Sequence, residues 1–180
     1  YGGSPIGNSR VKLTNLEDCL EKNYVKEGED PLQIAAEQLK KDKVDILHTI
    51  GGDDTNTMAA HLSEYLKNNG YNLTVVGLPK TVDNDLAVTD CCPGFGSVAK
   101  YVVNSTIEAS LDVESMAETS TKVFILEVMG RHAGWIAGSS VIAKESYPHC
   151  PDIILLPEVA FNKSNFLKKV KQVYDTKGFC

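Results

Sequence analysis

Arginine is scarce in this chain. Of its 18 basic residues only Arg10 and Arg131 are arginines, and the remaining 16 are lysines. Against 24 acidic residues this leaves a net charge of −6, which speaks against a general nucleic-acid binder. No apolar run approaches the roughly 20 residues that a membrane-spanning helix needs, and no charged-then-apolar leader opens the chain, so neither a membrane protein nor a secreted one is expected. There is no CxxC and no Cys/His cluster of zinc spacing. The five cysteines (Cys19, Cys91, Cys92, Cys150 and Cys180) are odd in number and irregularly placed. Reduced structural thiols in a cytoplasmic protein are the expectation, with ligation or oxidation at the adjacent Cys91 and Cys92 as the alternative. An initiator methionine is also missing. The chain opens on Tyr1, which reads as a fragment or a processed form.

What is present suits a folded protein. At 180 residues and 42% hydrophobic content, the chain can bury the core of one ordinary domain, or form a large piece of a bigger one. Residues 1–10 are rich in Gly, Ser and Asn and read as a loop. Asp30-Pro31 opens a helix with Leu32, Ala35, Ala36 and Leu39 on its apolar face. A buried strand is expected over 44–50, a helix over 55–69 ending near Gly70, and a second strand over 73–78. A long helix starting at Pro93 carries Phe95, Val98, Val102 and Ile107 at helical period. Strands over 122–128 and 153–156 and helices over 131–144 and 164–174 complete the pattern. Alternating short apolar strands and helices imply an α/β fold, with a parallel sheet covered on both faces. In such folds ligands bind where strands end and helices begin, and every unusual polar segment of this chain follows an expected strand.

Four of these segments carry chemistry. Gly51-Gly52-Asp53-Asp54 brings backbone close to a ligand and offers helix N–H groups to phosphate oxygens. Asp53 suits Mg²⁺, directly or through water; Asp53, Asp54 and Thr55 also suit a plain helix cap. A carboxylate at Asp54 repels further phosphates and so favours a small phosphate donor over ATP. In Pro79-Lys80-Thr81-Val82-Asp83-Asn84-Asp85, one carboxylate can take the proton of an attacking hydroxyl while the other orients metal or ligand. Lys80 supplies a point charge for phosphate oxygens; a simple surface Asx turn is the alternative. In Met129-Gly130-Arg131-His132, Arg131 is expected at a helix N-terminus, where a cation opposes the dipole and a bound anion explains it better than stability does. His132 reads as a packing or polar contact and Trp135 as core. Pro157-Glu158 presents a carboxylate for sugar hydroxyls, or for a cap.

Taken in this order, the four segments resemble the phosphofructokinase family, from Gly7-Asn8-Ser9-Arg10 to Pro157-Glu158-Val159-Ala160-Phe161. Asp54 and Lys80, where ATP-using members typically carry Gly, resemble the pyrophosphate-dependent branch. The resemblance implies a partial Rossmann-like three-layer fold, here the middle of a catalytic domain lacking its first strand and its C-terminal remainder. It also implies reversible, Mg²⁺-dependent phosphoryl transfer from pyrophosphate to the 1-hydroxyl of fructose 6-phosphate in glycolysis, by a homo-oligomer (dimer or tetramer). Within it, Asp83 resembles the base, Asp53 the metal-associated carboxylate and Asp85 a second catalytic-loop acid. Thr81 and Lys80 would contact the transferred phosphoryl group and pyrophosphate. Gly52, Asp54 and Arg10 fall on the donor side. Met129, Gly130 and Arg131 resemble a sugar-phosphate turn, and Glu158 a grip on sugar hydroxyls. Lys122 stands where many members carry an arginine that reaches a neighbouring subunit's sugar phosphate. These 180 residues alone are expected to be inactive. An ATP-dependent phosphofructokinase and a non-catalytic regulatory subunit of the same fold are the competing readings.

Overall fold

Asp30 and Pro31 set the first long helix. The Asp30 carboxylate accepts the N–H of Leu32 at 3.0 Å, and Pro31 occupies the first turn, where its missing N–H costs nothing. The computed structural model describes residues 4–180; Tyr1 and the start of the expected opening loop lie outside the described residues. The chain divides into two compact units, Tyr1–Pro79 and Lys80–Cys180, each with its own apolar cluster.

In the first unit, α1 (Leu16–Glu21) was not anticipated; Asn15 caps it by accepting the Asp18 N–H. Helix α2 (Pro31–Lys41) leads to β1 (Ile46–Gly51), α3 (Asp53–Asn68) and β2 (Thr74–Pro79). The two strands pair in parallel, from Ile46 against Thr74 to Gly51 against Pro79, with α3 as the crossover. Ala36, Leu62, Leu66 and Leu73 form the core, with Leu39, Leu47 and Val75 packed against it. Leu66 is only 1% exposed, and burying such a side chain contributes about 1.5–3 kcal/mol. Tyr71 Oη donates to the Val44 carbonyl at 2.7 Å and ties the loop before β2 to the loop before β1. The first strand is not buried on both faces as expected. Leu47 and Thr49 face the helices while Ile46 and Ile50 are exposed, the alternation of a strand covered on one side.

In the second unit, α4 (Phe95–Met116) follows the polar loop and buries Val102, Thr106 and Val113. Val113, Ala117 and Phe179 form the unit's cluster. Two short helices, α5 (Trp135–Ser139) and α6 (Ala143–Ser146), are joined by a 3-10 turn, Ser140–Ile142. Helix α7 (Lys163–Lys177) is capped by Asn162, which accepts the Asn165 N–H at 2.9 Å. Lys177 then pairs with Asp152 at 2.7 Å and donates to the His149 carbonyl at 2.6 Å, fastening the end of α7 to the 149–152 turn.

The strands expected over 122–128 and 153–156 are not formed. Both segments line an apolar cleft of about 530 Å³, with Phe124, Ile125 and Leu155 exposed. A strand exists only where a neighbour completes its ladder. Among the described residues, 122–124 makes one parallel-type rung: Cys180 donates to the Lys122 carbonyl and its own carbonyl accepts the Phe124 N–H, at 2.9 and 3.0 Å.

Candidate active site

The first unit carries the Gly51-Gly52 turn. Asn56, one helical turn into α3, donates from Nδ2 to the carbonyls of Gly51 and Gly52 at 3.1 and 2.8 Å. Those two bonds hold the turn against its helix. The lack of a side chain at Gly77 makes this possible, because a Cβ there would stand 2.4 Å from Asn56 Oδ1. At Gly51 a Cβ would meet Thr55 Oγ1 at 2.2 Å. Thr49, paired with Gly77 across the sheet, has a buried Oγ1 with no hydrogen-bond partner.

Helix α3 starts at Asp53, two residues earlier than expected, and its N-cap Gly52 provides no side-chain cap. Asp53 and Asp54 therefore lie within the first turn, beside unpaired N–H groups at the positive end of the helix dipole, and are not caps. Asp54 pairs with Lys12 at 2.8 Å, an exposed contact worth less than about 1 kcal/mol. Lys12 carried no signal in the sequence, since pairing across 42 positions follows from chain path alone. The Asp53 carboxylate makes no hydrogen bond or ion pair among the described residues, and Arg10 is exposed. Free carboxylate oxygens at a helix N-terminus fit a hard cation that keeps its waters. Among the described residues no three His, Cys, Asp or Glu side chains gather to hold a metal, so phosphate and water would complete such a shell.

The second unit carries the other three segments. In the Lys80–Asp85 loop, Thr81 Oγ1 accepts the Asp83 N–H at 3.2 Å. Asn84 is 5% exposed and adopts a left-handed backbone, φ 55°. Its Nδ2 donates to the Asp90 carbonyl at 3.2 Å and its Oδ1 accepts the Cys92 N–H at 2.8 Å. Asp83 Oδ1 is buried with no hydrogen-bond partner. Leaving an acceptor unpaired costs about 1–3 kcal/mol, more when charged. A surface Asx turn does not account for a buried, unpartnered carboxylate oxygen. Lys80 and Asp85 are exposed.

At Met129-Gly130-Arg131 the chain turns on Gly130, φ 108°, where a Cβ would stand 2.3 Å from the Ala133 carbonyl oxygen. Only glycine fits there. Arg131 is exposed in this bend and is not at a helix N-terminus: α5 begins four residues later, at Trp135. Gly130 is left-handed and the Ala133 carbonyl folds back over it, which is not helical geometry; Glu158 Oε1 accepts the Gly134 N–H at 2.7 Å just before α5 begins. Glu158 thus reaches the Arg131 turn and spends one oxygen on the Gly134 N–H. Trp135 is 59% exposed where core was expected, and His132 is exposed without a side-chain hydrogen bond among the described residues. Lys122 donates to the carbonyls of Ala117 and Glu118, closing the C-terminal end of α4. All five cysteines are free; Cys19, Cys92 and Cys150 are buried and Cys91 is exposed. No helix among the described residues is long and apolar enough to cross a membrane.

The family described as phosphofructokinase matches residues 1–179. The chain is 46% identical over 178 residues to the pyrophosphate–fructose 6-phosphate 1-phosphotransferase of Xanthomonas campestris pv. campestris, covering 99% of this chain and 40% of that relative. The enzyme of the same name from Methylomonas methanica is 41% identical over 196 residues, covering 97% and 46%. The crystal structure of pyrophosphate-dependent phosphofructokinase from Marinobacter aquaeolei superposes with a TM-score of 0.79 at 44% identity, over 99% of this chain and 41% of that one. This chain therefore spans less than half the length of the relatives it matches.

Proposed function

Because this chain belongs to the phosphofructokinase family, we propose that the protein catalyses reversible phosphoryl transfer from pyrophosphate to the 1-hydroxyl of fructose 6-phosphate, giving fructose 1,6-bisphosphate and phosphate. The observation that carries this reading is the buried, unpartnered Oδ1 of Asp83 in a loop that also holds Lys80, Thr81 and Asp85. Asp83 accepts the proton of the 1-hydroxyl. The freed oxygen forms its bond to the terminal phosphorus of pyrophosphate as the bridging P–O bond breaks, and phosphate departs with that electron pair. Little covalent work falls to the protein in such a transfer; positioning and charge do most of it. Lys80 and Arg10 supply positive charge to the donor oxygens, and Thr81 a hydroxyl to the transferred group. Gly52 leaves room for the donor at the α3 N-terminus, and Asp85 is the loop's second carboxylate.

On the acceptor side, Arg131, with its planar fork of donors, takes the sugar phosphate at the Met129-Gly130 turn. Glu158 keeps Oε2 for sugar hydroxyls while Oε1 holds the turn. Lys122, whose ammonium bonds the carbonyls of Ala117 and Glu118 just past α4, would reach a phosphate only by exchanging those bonds. Asp53 would hold Mg²⁺, whose chemistry is to neutralise the phosphate charge. Five free cysteines suit a reducing compartment such as the cytoplasm. A homo-oligomeric assembly belongs to the same reading.

The test is turnover of the protein with pyrophosphate and with ATP as donors, alongside Asp83→Asn. Pyrophosphate is expected to be the preferred donor. Loss of the base should lower kcat by roughly 10²–10⁴-fold. An unaltered kcat in Asp83→Asn removes the base assignment, and predominant use of ATP removes the donor assignment.

A further inference from the structure

Asn84 stands between the two carboxylates of the Lys80–Asp85 loop and has no part in the chemistry above. It is the only buried residue between Lys80 and Asp90. Both ends of its amide are engaged, Nδ2 on the Asp90 carbonyl and Oδ1 on the Cys92 N–H. Cys92 is itself buried, and its carbonyl accepts the Phe95 N–H at 3.1 Å, at the first residue of the 22-residue helix α4. The Asn84 amide therefore ties the carboxylate loop to the start of a long helix.

The residue type matches these demands together. A positive φ is disfavoured for most side chains and tolerated by asparagine. Glycine would adopt the same backbone and make neither bond. Aspartate would keep the acceptor for Cys92 and lose the donor to Asp90.

We propose that Asn84 is a positioning residue for phosphoryl transfer: its side chain fixes the backbone between Asp83 and Asp85, and so sets where the Asp83 carboxylate meets the acceptor hydroxyl. The proposal rests on the assignment of Asp83 as base. A general base must sit within hydrogen-bond reach of the proton it takes, and misplacement by about 1 Å can cost on the order of 10²-fold in rate.

The experiment is a double-mutant cycle on the protein, with pyrophosphate, Mg²⁺ and fructose 6-phosphate, comparing Asn84→Gly, Asp83→Asn and the double variant. Each is checked for folding by circular dichroism and thermal midpoint. Asn84→Gly is expected to lower kcat about 100-fold, with the KM for fructose 6-phosphate within about 3-fold of the parent. In the Asp83→Asn background the same change should lower residual turnover by less than about 3-fold, because a positioning residue has nothing left to position. An equal loss in both backgrounds, or an undiminished kcat in Asn84→Gly, overturns the proposal. Where Asn84→Gly fails to fold, Asn84→Asp carries the same cycle, with a smaller loss expected because the bond from Cys92 is kept. A parent-like kcat in Asp83→Asn alone strikes the base assignment instead, so the two failures are told apart.

Discussion

The backbone N–H of Gly134 donates to Glu158 Oε1 at 2.7 Å, and a Cβ on Gly134 would stand 2.7 Å from the other oxygen of the same carboxylate. One contact thus binds the Arg131 turn to the segment after Leu156, and the missing side chain makes it possible.

Gly134→Ala is expected to push Glu158 aside and loosen that turn, since Leu156 Cδ2, at 2.9 Å from the added carbon, closes the other exit. The KM for fructose 6-phosphate should rise by about tenfold, equivalent to roughly 1.4 kcal/mol, with kcat little changed. Glu158→Gln, which keeps an acceptor for the Gly134 N–H, should be milder than Glu158→Ala. Steady-state kinetics on the three variants decide it; an unmoved KM in Gly134→Ala counts against the coupling.

Asn56 does for the Gly51-Gly52 turn what Glu158 does for the Arg131 turn. Asn56→Ala removes two bonds to the Gly51 and Gly52 carbonyls, and Gly77→Ala puts a carbon 2.4 Å from Asn56 Oδ1. Both should destabilise the protein by about 1–3 kcal/mol and weaken pyrophosphate binding while sparing that of fructose 6-phosphate. Thermal melts with and without pyrophosphate read out both effects.

Donor choice should lie with Asp54 and Lys80. Replacing both by glycine is expected to lower kcat/KM for pyrophosphate by about 10²-fold, because the Lys80 cation is lost, and to raise relative use of ATP, because no Asp54 carboxylate repels its further phosphates. Lys12→Ala leaves Asp54 in place and cuts only an exposed pair, so its stability cost should stay below about 1 kcal/mol. Parallel assays with the two donors separate these cases.

Lys177 ties α7 to Asp152 and the His149 carbonyl, and its ammonium lies 4.3 Å from the Phe179 ring centroid. Lys177→Met should cost about 2 kcal/mol, because Asp152 is left half-buried without its partner. The same change bears on Cys180, whose thiol is pushed up by burial and further by Asp152, against the pull of Lys177. A thiol raised in the fold contributes stability below its ordinary range and loses it as the pH climbs through the raised value. Alkylation of Cys180 should therefore set in above the pH at which an ordinary thiol reacts, and at a higher pH still in Lys177→Met. Mass spectrometry of pH-dependent labelling measures both.

Residue order alone determined the elements whose signals are local. Asp30-Pro31 marked a helix start because a cap and a fixed φ act within one turn, and 44–50 and 73–78 read as strands from their short apolar runs, formed over Ile46–Gly51 and Thr74–Pro79. The chemistry-bearing segments were legible for the same reason: glycines, carboxylates and arginine in short windows state what a loop can bind. Tertiary structure decided whatever needs a distant partner. The segments 122–128 and 153–156 have strand composition and no ladder, because hydrogen bonds come from a neighbour and not from side-chain type. Arg131 lies outside its expected helix because the chain turns on left-handed Gly130 with the Ala133 carbonyl folded back over it, and Glu158, 24 positions after Gly134, meets that turn only through chain path. Lys12 meets Asp54, and Asn84 is buried between Asp90 and Cys92, through chain path. Sequence determined which groups this chain carries in its polar loops; folding decided which are held, and by what, since desolvation and hydrogen-bond geometry exist only once the chain has closed on itself.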